Sequence, residues 1–237
     1  MRDKSPVMVF KKFSVRHDRV AMKVGTDGVL LGAWTSTENV RNILDVGTGS
    51  GLIALMMAQR TPETVTIDAV EVADDAAQAK ENFEASPWKH RLSIFHTSLQ
   101  RFEPASPYDL IVSNPPYFID SLRPPEERRR LARHTDTLTH EDILHGTGRM
   151  LHPDGRLGLI LPPAEAIAFE RTAGKHGLHC VRQCTFRSRP NKMPMRYLME
   201  FSYDNSPTSK SEIFLYGMDG KPSEEYRSLT REFYLSF

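Results

Sequence analysis

A glycine-rich segment near residue 47 is the first place where residue types and spacing indicate chemistry. The chain reads Asp45-Val46-Gly47-Thr48-Gly49-Ser50-Gly51, directly after a short apolar run and directly before a stretch of helical composition. Glycines allow the backbone to turn sharply and to approach a ligand closely, and the following helix offers unpaired amide donors in its first turn. The pattern predicts a ligand-binding loop between a strand and a helix.

Two acids near this loop indicate the kind of ligand. A nicotinamide-binding loop reads G-x-G-x-x-G and holds a pyrophosphate, which the Asp45 carboxylate would repel. The same carboxylate suits S-adenosylmethionine, which carries an ammonium and a sulfonium. Glu71 follows Gly51 by 20 residues at the end of the next apolar run, where a doubly wound sheet places the ribose acceptor. A glycine loop without such acids is also found as a plain strand–helix turn.

The segment Asn114-Pro115-Pro116-Tyr117 is a second element with chemical meaning, and it follows the apolar run 109–113. Two consecutive prolines fix the backbone, and Asn114 adds a side-chain carbonyl acceptor. Asn114 and the Pro115 carbonyl could hold both hydrogens of one amino group, which builds up charge on a nitrogen whose lone pair is delocalised. Tyr117 could stack on a planar substrate. The alternative is a rigid turn with an exposed tyrosine.

Two groups of basic residues could hold phosphates. The first follows the Asn-Pro-Pro-Tyr element and includes Arg128, Arg129 and Arg133, although Glu126 and Glu127 dilute it. The second surrounds a turn between two late strands and comprises Arg187, Arg189, Lys192 and Arg196. We expect RNA contact from both groups, with a solvated surface as the alternative. The histidines and cysteines between residues 176 and 184 lack a zinc-binding spacing, so no metal is expected.

The composition limits the class of protein. The chain has 237 residues, a net charge of +1 and two cysteines, which favours a reducing, cytoplasmic location over a secreted one. The N-terminus is charged, and no apolar run is long enough to span a bilayer, so no membrane association is expected. Because the net charge is small, any nucleic-acid contact must come from a local patch.

Alternating apolar runs and helical stretches between residues 41 and 203 predict an α/β fold with a mostly parallel, doubly wound sheet. Strands are expected at 43–46, 66–71, 92–95, 109–113, 156–161, 178–186 and 196–203. Helices are expected at 52–60, 74–85, 139–151, 164–176 and 224–234. Residues 1–40 should form an extension of short strands or turns, and residues 204–237 a C-terminal strand and helix of the same single domain, with a mobile loop at 205–211. The two late strands lack a helix between them, so at least one pair should be antiparallel.

At these residues the chain resembles a known family. The glycine loop with Asn114 to Tyr117 resembles the class I amino-methyltransferases, whose fold is Rossmann-like. The stretch from Met22 to Trp34, the segment 189–192 and Arg196 are similar to the bacterial tRNA1(Val) adenine-37 N6-methyltransferase family. The resemblance implies a seven-stranded sheet, tRNA as partner and Asn114, Pro115, Pro116 and Tyr117 at the target amino group. It implies S-adenosylmethionine held by Lys23, Thr26, Asp27, Asp45, Gly47, Thr48, Gly49, Gly51, Glu71, Val72, Ser98, Leu99 and Asn114.

One position departs from that family's pattern. Many relatives carry an aspartate after the third strand, beside the adenine of the cofactor, whereas this chain reads His96-Thr97-Ser98-Leu99. Ser98 is therefore expected to make the adenine contact.

Three other functions share parts of this pattern. Protein glutamine N5-methylation and guanine N2-methylation of ribosomal RNA use the same amino-group chemistry, and a non-catalytic binding module could keep the glycine loop. The first would not need the basic residues, and it usually has a helical N-terminal domain for which the chain has no room. The last would have no use for two acceptors beside the methyl group. The choice of adenine depends on the resemblance, not on the chemistry of the residues.

Overall fold

The computed structural model describes residues 6–116 and 138–236, which fold around one eight-stranded sheet and one two-stranded hairpin. The strands are β1 Val7–Val9, β2 Ser14–Arg16, β3 Asn42–Val46, β4 Thr66–Glu71, β5 Leu92–His96, β6 Tyr108–Ser113, β7 Leu151–Leu161, β8 His179–Arg187, β9 Pro194–Ser202 and β10 Ser209–Phe214. The helices are α1 Thr26–Trp34, α2 Leu52–Arg60, α3 Asp75–Glu84, α4 His140–Met150, α5 Pro163–Lys175 and α6 Glu224–Thr230.

The large sheet has the order β10-β8-β9-β7-β6-β3-β4-β5. Five adjacent strands, from β7 to β5 in that order, run parallel. Their side chains alternate between two buried faces: Ile43 packs with the residues of α1 and α2, whereas Leu44 packs with those of α4 and α5. Both faces are therefore covered by helices, as a parallel sheet requires. The predicted doubly wound α/β class is confirmed.

The antiparallel part of the sheet lies beyond β7. Strand β9 runs antiparallel to both β7 and β8, as predicted for two late strands with no helix between them. Strand β10 then pairs parallel with β8, so the sheet has eight strands where the resemblance implied seven. Residues 209–211, expected in a mobile loop, belong to β10. Their Ser-Lys-Ser composition is typical of an exposed edge strand, which the same polarity makes hard to distinguish from a loop.

The N-terminal region differs from the expectation of short strands and turns because it also contains α1. Seven of the nine residues of α1 are buried, so the helix has no polar face and its sequence lacks an amphipathic period. Two distant arginines satisfy the carbonyls at its C-terminal end: Arg60 Nη1 donates to Gly32 O at 2.8 Å, and Arg182 Nη1 donates to Trp34 O at 3.2 Å. These contacts fix the C-terminal end of α1 against the sheet, so the N-terminal end of the helix lies at the opposite edge of the sheet.

The start of α4 matches its sequence pattern. Thr139 Oγ1 accepts from the Asp142 amide at 3.1 Å, and the Thr139 amide donates to Asp142 Oδ2 at 2.9 Å. This reciprocal capping box was expected from the spacing of the two residues. No helix in residues 6–116 or 138–236 has the length and apolarity needed to cross a bilayer.

Candidate active site

Four predicted site residues meet at one edge of the sheet. Strands β6, β3, β4 and β5 are adjacent and parallel, so their carboxyl ends lie side by side. Gly47 follows β3, Glu71 ends β4, Ser98 follows β5 and Asn114 follows β6. Ligands of open α/β sheets bind in the crevice outside these strand ends, so the fold places the four residues around one candidate site.

The glycine loop depends on left-handed backbone conformations. Gly47, Gly49 and Gly51 have φ angles of 68°, 54° and 83°, a region that side chains with a Cβ rarely adopt. A Cβ at Gly51 would also lie 2.5 Å from Cε1 of Phe83 on α3. Both the backbone conformation and the close packing therefore require glycine at residue 51.

Asp45 lies beneath the loop and is fully buried. Its Oδ2 accepts from Thr48 Oγ1 at 2.6 Å and from the Ala54 amide at 3.1 Å, so the carboxylate joins the loop to α2. Its Oδ1 is buried without a hydrogen-bond partner among the described residues. Burial, and to a smaller extent the charge of Glu71, raise the pKa of Asp45 to about 7, against the opposing effect of the two hydrogen bonds.

Glu71 connects the loop to the end of β4. Its Oε2 accepts from the Gly49 amide at 2.9 Å, and its Oε1 accepts from the Ala73 amide at 3.0 Å. Each oxygen keeps a further lone pair. The contacts hold the carboxylate at the rim of the crevice, where it could accept from hydroxyl groups.

Two adjoining cavities of about 360 and 340 Å³ open beside the loop. Met22, Gly47, Gly49 and Asn114 line both of them. The first cavity is also lined by Lys23, Thr26, Asp27, Thr48, Phe186, Met195 and Leu215. The second is also lined by Glu71, Val72, Ala73, Ser98, Leu99, Gln100, Pro116 and Leu138. Asn114 therefore stands at the junction of the two cavities.

Most predicted cofactor residues line one of these cavities, and two do not. Asp45 lies under the loop, and Gly51 ends the loop at the N-terminus of α2. Both shape the loop without lining either cavity. Sequence reasoning missed Met22, Phe186, Met195 and Leu215 in the first cavity, and Gln100 and Leu138 in the second. Their apolar or neutral types carry no chemical signal, and only the topology of β8, β9 and β10 brings three of them to the loop.

The structure describes Asn114, Pro115 and Pro116 of the Asn-Pro-Pro-Tyr element. Pro115 is buried and Pro116 is exposed at the second cavity. Ser113 Oγ, one residue before Asn114, donates to Val46 O at 2.8 Å, which ties the end of β6 to the start of the glycine loop. Tyr117 lies outside the described residues, so its predicted stacking role stays a prediction.

The N-terminal side of the first cavity is connected to the β8–β9 hairpin. Arg196 Nε donates to Asp27 Oδ2 at 2.8 Å, and both side chains are about three-quarters buried. Arg196 Nη1 also donates to Met195 O at 2.7 Å. A residue predicted to bind RNA and a residue predicted to bind the cofactor thus form one ion pair at the cavity wall.

The predicted RNA-binding residues fall into three situations. Arg128, Arg129 and Arg133 lie outside the described residues. Arg187 donates to Lys192 O at 2.7 Å and to Glu212 Oε1 at 3.2 Å, so it supports the base of the β8–β9 turn. Arg189 and Lys192 are exposed on that turn. The two exposed residues, not Arg187 and Arg196, are therefore the ones that present their cationic groups to solvent.

Comparisons with known proteins agree with this geometry. Residues 23–165 match the family model "Methyltransferase small domain". A protein of Bacteroides thetaiotaomicron is 43% identical over 232 residues, with 98% of each chain covered. One of Parabacteroides distasonis is 46% identical over 235 residues, also with 98% of each chain covered. Both relatives are named tRNA1(Val) (adenine(37)-N6)-methyltransferase.

The fold has solved counterparts. A protein of Agrobacterium tumefaciens, described as a predicted O-methyltransferase, superposes with a TM-score of 0.67 at 16% identity, covering 87% of this chain and 96% of its own. At that identity the likeness concerns the fold alone. The near-full-length relatives settle the family: this chain belongs to the methyltransferase small domain family and, within it, to the tRNA1(Val) (adenine(37)-N6)-methyltransferases.

Proposed function

We propose that this protein transfers the methyl group of S-adenosylmethionine to N6 of an adenine in tRNA, namely adenine 37 in the anticodon loop of a valine tRNA. The observation that carries the proposal is the position of Asn114, which lines both cavities beside the glycine loop. A carbonyl acceptor at that junction can hold an amino group of the substrate beside a bound cofactor. The identity of the RNA comes from the names of the relatives.

The residues of the two cavities suit S-adenosylmethionine. The unpartnered Oδ1 of buried Asp45 offers negative charge to an ammonium, and Glu71 can accept from ribose hydroxyls. The mostly apolar second cavity, with Val72, Leu99 and Ser98, suits an adenine ring. The N-terminus of α1 and Lys23 at the first cavity offer positive charge to a carboxylate. When bound, the cofactor supplies an electrophilic methyl group on a sulfonium.

The residues of the chain then act on the amino group that receives the methyl. The Asn114 side-chain carbonyl and the Pro115 carbonyl accept from its two hydrogens, which draws the nitrogen toward a tetrahedral geometry and increases charge on it. The Ser113 hydroxyl ties the end of β6 to β3, and we propose that this contact helps to orient the two acceptors before the reaction. No strong base is needed, since the proton can leave to water after transfer. Tyr117 would stack on the base.

Exposed basic residues would hold the RNA at this edge. Arg189 and Lys192 are the basic residues of the β8–β9 turn that are exposed to solvent. Arg128, Arg129 and Arg133, which follow the Asn-Pro-Pro-Tyr element in the sequence, are proposed to contact phosphates as well. Arg187 and Arg196 support the turn. A tRNA substrate also implies a cytoplasmic location.

The test is methyl transfer from radiolabelled S-adenosylmethionine to total tRNA from cells that lack this modification, followed by nucleoside analysis. We expect label in N6-methyladenosine of a valine tRNA, and none when that tRNA carries guanosine at position 37. Label in ribosomal RNA or in protein, with none in tRNA, would keep the amino-group chemistry and overturn the substrate. Absence of label in every fraction would overturn the catalytic proposal.

A further inference from the structure

Two turns beside the first cavity form one continuous surface, which we call the lip and define as residues 188–193 and 216–221. The Leu215 amide donates to Arg187 O at 2.9 Å, and the Tyr216 amide donates to Ser188 O at 3.0 Å. A Cβ built on Gly220 would lie 3.8 Å from Nη2 of Arg189. The turn 216–221, for which the sequence pattern indicated no function, therefore lies against the turn 188–193, which carries Arg189 and Lys192.

The lip continues directly from the wall of the first cavity. Phe186, Met195 and Leu215 line that cavity, and each is followed or preceded within two residues by residues of the lip. A polymer whose target group enters the cavity at Asn114 would therefore pass over the lip with its neighbouring units.

Large apolar side chains are exposed on both turns of the lip. Met193 is 82% exposed, Met218 74% and Tyr216 38%. Large apolar side chains exposed on two adjacent turns are more typical of an interaction surface than single exposed residues scattered over a protein. Methionine adapts its shape to flat partners, and a tyrosine ring offers a face on which an unpaired base can stack.

The charges on the lip favour a polyanion over an apolar protein partner. Arg189, Lys192 and Lys221 are exposed and positive, against one exposed acid, Asp219. The carboxylate of Asp219 accepts from the Lys221 amide at 3.0 Å, which keeps it within its own turn. Aromatic and apolar side chains among positive charges are typical of surfaces for single-stranded nucleic acid.

We propose that the lip binds the unpaired nucleotides adjacent to the target base, with their phosphates on Arg189, Lys192 and Lys221 and an unstacked base on Tyr216, flanked by Met193 and Met218. The proposal rests on the proposed function and extends it, because it gives the turn 216–221 a share of the substrate interface. It predicts that the enzyme prefers an open loop to a duplex at this surface.

The test compares equilibrium binding of an in vitro transcribed valine tRNA to wild-type protein, Tyr216→Ala, Tyr216→Phe and Met218→Ala at several salt concentrations. We expect Tyr216→Ala to weaken binding about tenfold with an unchanged salt slope, because stacking involves no counterion release. Tyr216→Phe should bind like the wild type, since it keeps the ring. Affinity for a blunt RNA duplex of equal length should not change.

A matched control is Tyr203→Ala. Tyr203 is 36% exposed and follows β9, which runs antiparallel to β7, so it lies at the opposite edge of the sheet and its loss should leave tRNA binding unchanged. Unchanged tRNA affinity in Tyr216→Ala would overturn the proposal. So would a loss of tRNA affinity in Tyr216→Phe as large as that in Tyr216→Ala, or an equal loss of affinity of Tyr216→Ala for the duplex. Failure of the wild type to bind tRNA would instead overturn the proposed function.

Discussion

Asn114 is the residue on which the proposed chemistry depends most directly. If its carbonyl acts on the amino group of the substrate during transfer, Asn114→Ala should lower turnover about a hundredfold or more, as for other losses of a preorganised electrostatic contact. Cofactor affinity should stay within a few-fold of the wild type, since the loop and Glu71 remain. Single-turnover methyl transfer and calorimetric cofactor binding measure the two quantities separately.

Asn42→Ala is the control for Asn114→Ala, because Asn42 starts β3 at the opposite edge of the sheet. The side-chain carbonyl of Asn42, Oδ1, accepts from Thr66 Oγ1 at 2.9 Å. This variant should keep turnover. Equal losses of cofactor binding and of turnover in Asn114→Ala would contradict the proposed role, because they would indicate general damage to the cleft.

Asp45 should make cofactor binding depend on pH. Burial raises its pKa to about 7 in the free protein, so a growing fraction is neutral below pH 7 and must lose a proton to attract the ammonium of the ligand. We expect the dissociation constant to rise toward tenfold per pH unit below about pH 7. The measurement is calorimetry between pH 5.5 and 7.5, below the ordinary α-amino pKa of about 7.7–8.0. A flat profile in the wild type would contradict this role.

Protonation of Asp45 should stabilise the fold, whereas it should weaken cofactor binding. A carboxyl whose folded pKa lies above its ordinary value of 3.8 favours folding in its protonated form, and this contribution is lost as the pH rises through about 7. Asp45→Asn keeps an acceptor for Thr48 and Ala54 without the buried charge. It should therefore raise the melting temperature of the free protein more at pH 8 than at pH 5, while it weakens cofactor binding. A lower melting temperature at pH 8 would show that the charge supports the loop.

At the scale of elements, the strands and helices around the site follow from local pattern. Helix α2 and strand β4 have the predicted bounds, and the capping box at Thr139 begins α4 as expected. Two exceptions have physical causes: α1 is buried on all sides and so has no period, and β10 is a polar edge strand that resembles a loop. Strand β7 also departs from the prediction, because it begins at Leu151 and not at residue 156. The contact between Asp27 and Arg196, 169 residues apart, could not be predicted, because both residues indicated ligands rather than each other.

The Asp27–Arg196 ion pair joins α1, which is proposed to bind the cofactor, to the β8–β9 hairpin, which is proposed to bind tRNA. The Asp27–Arg196 pair holds the N-terminus of α1 against the β8–β9 hairpin, so Asp27→Asn and Arg196→Gln should each weaken cofactor and tRNA binding. The double variant should lose little more than either single one, with a coupling free energy of about 1 kcal/mol in a double-mutant cycle. Additive losses would contradict a direct pair and would indicate separate ligand contacts.

Glu212→Gln provides the control. Glu212 lies on β10 and pairs with Arg187 of the β8–β9 hairpin, and it does not line the first cavity. It should change tRNA binding and leave cofactor binding as in the wild type.

For the whole molecule, a net charge of +1 means that tRNA binding must depend on a few local cations. Arg189→Ala and Lys192→Ala should each weaken binding and reduce the slope of log affinity against log salt by about 0.7 to 0.9, the value for one phosphate contact. Fluorescence anisotropy with labelled tRNA between 50 and 300 mM salt, that is on the order of physiological strength, measures the slope.

Lys175→Ala is the matched control for these two variants. Lys175 is exposed in the last turn of α5, and since α5 runs back from the carboxyl end of β7, that turn lies at the edge of the sheet opposite the site. Its loss should leave the slope unchanged, whereas a long-range field from the whole protein would make all three lysine and arginine variants equivalent. Equal slopes in the three variants would therefore place the RNA elsewhere, and a reduced slope confined to Arg189 and Lys192 would fix the direction from which tRNA approaches Asn114.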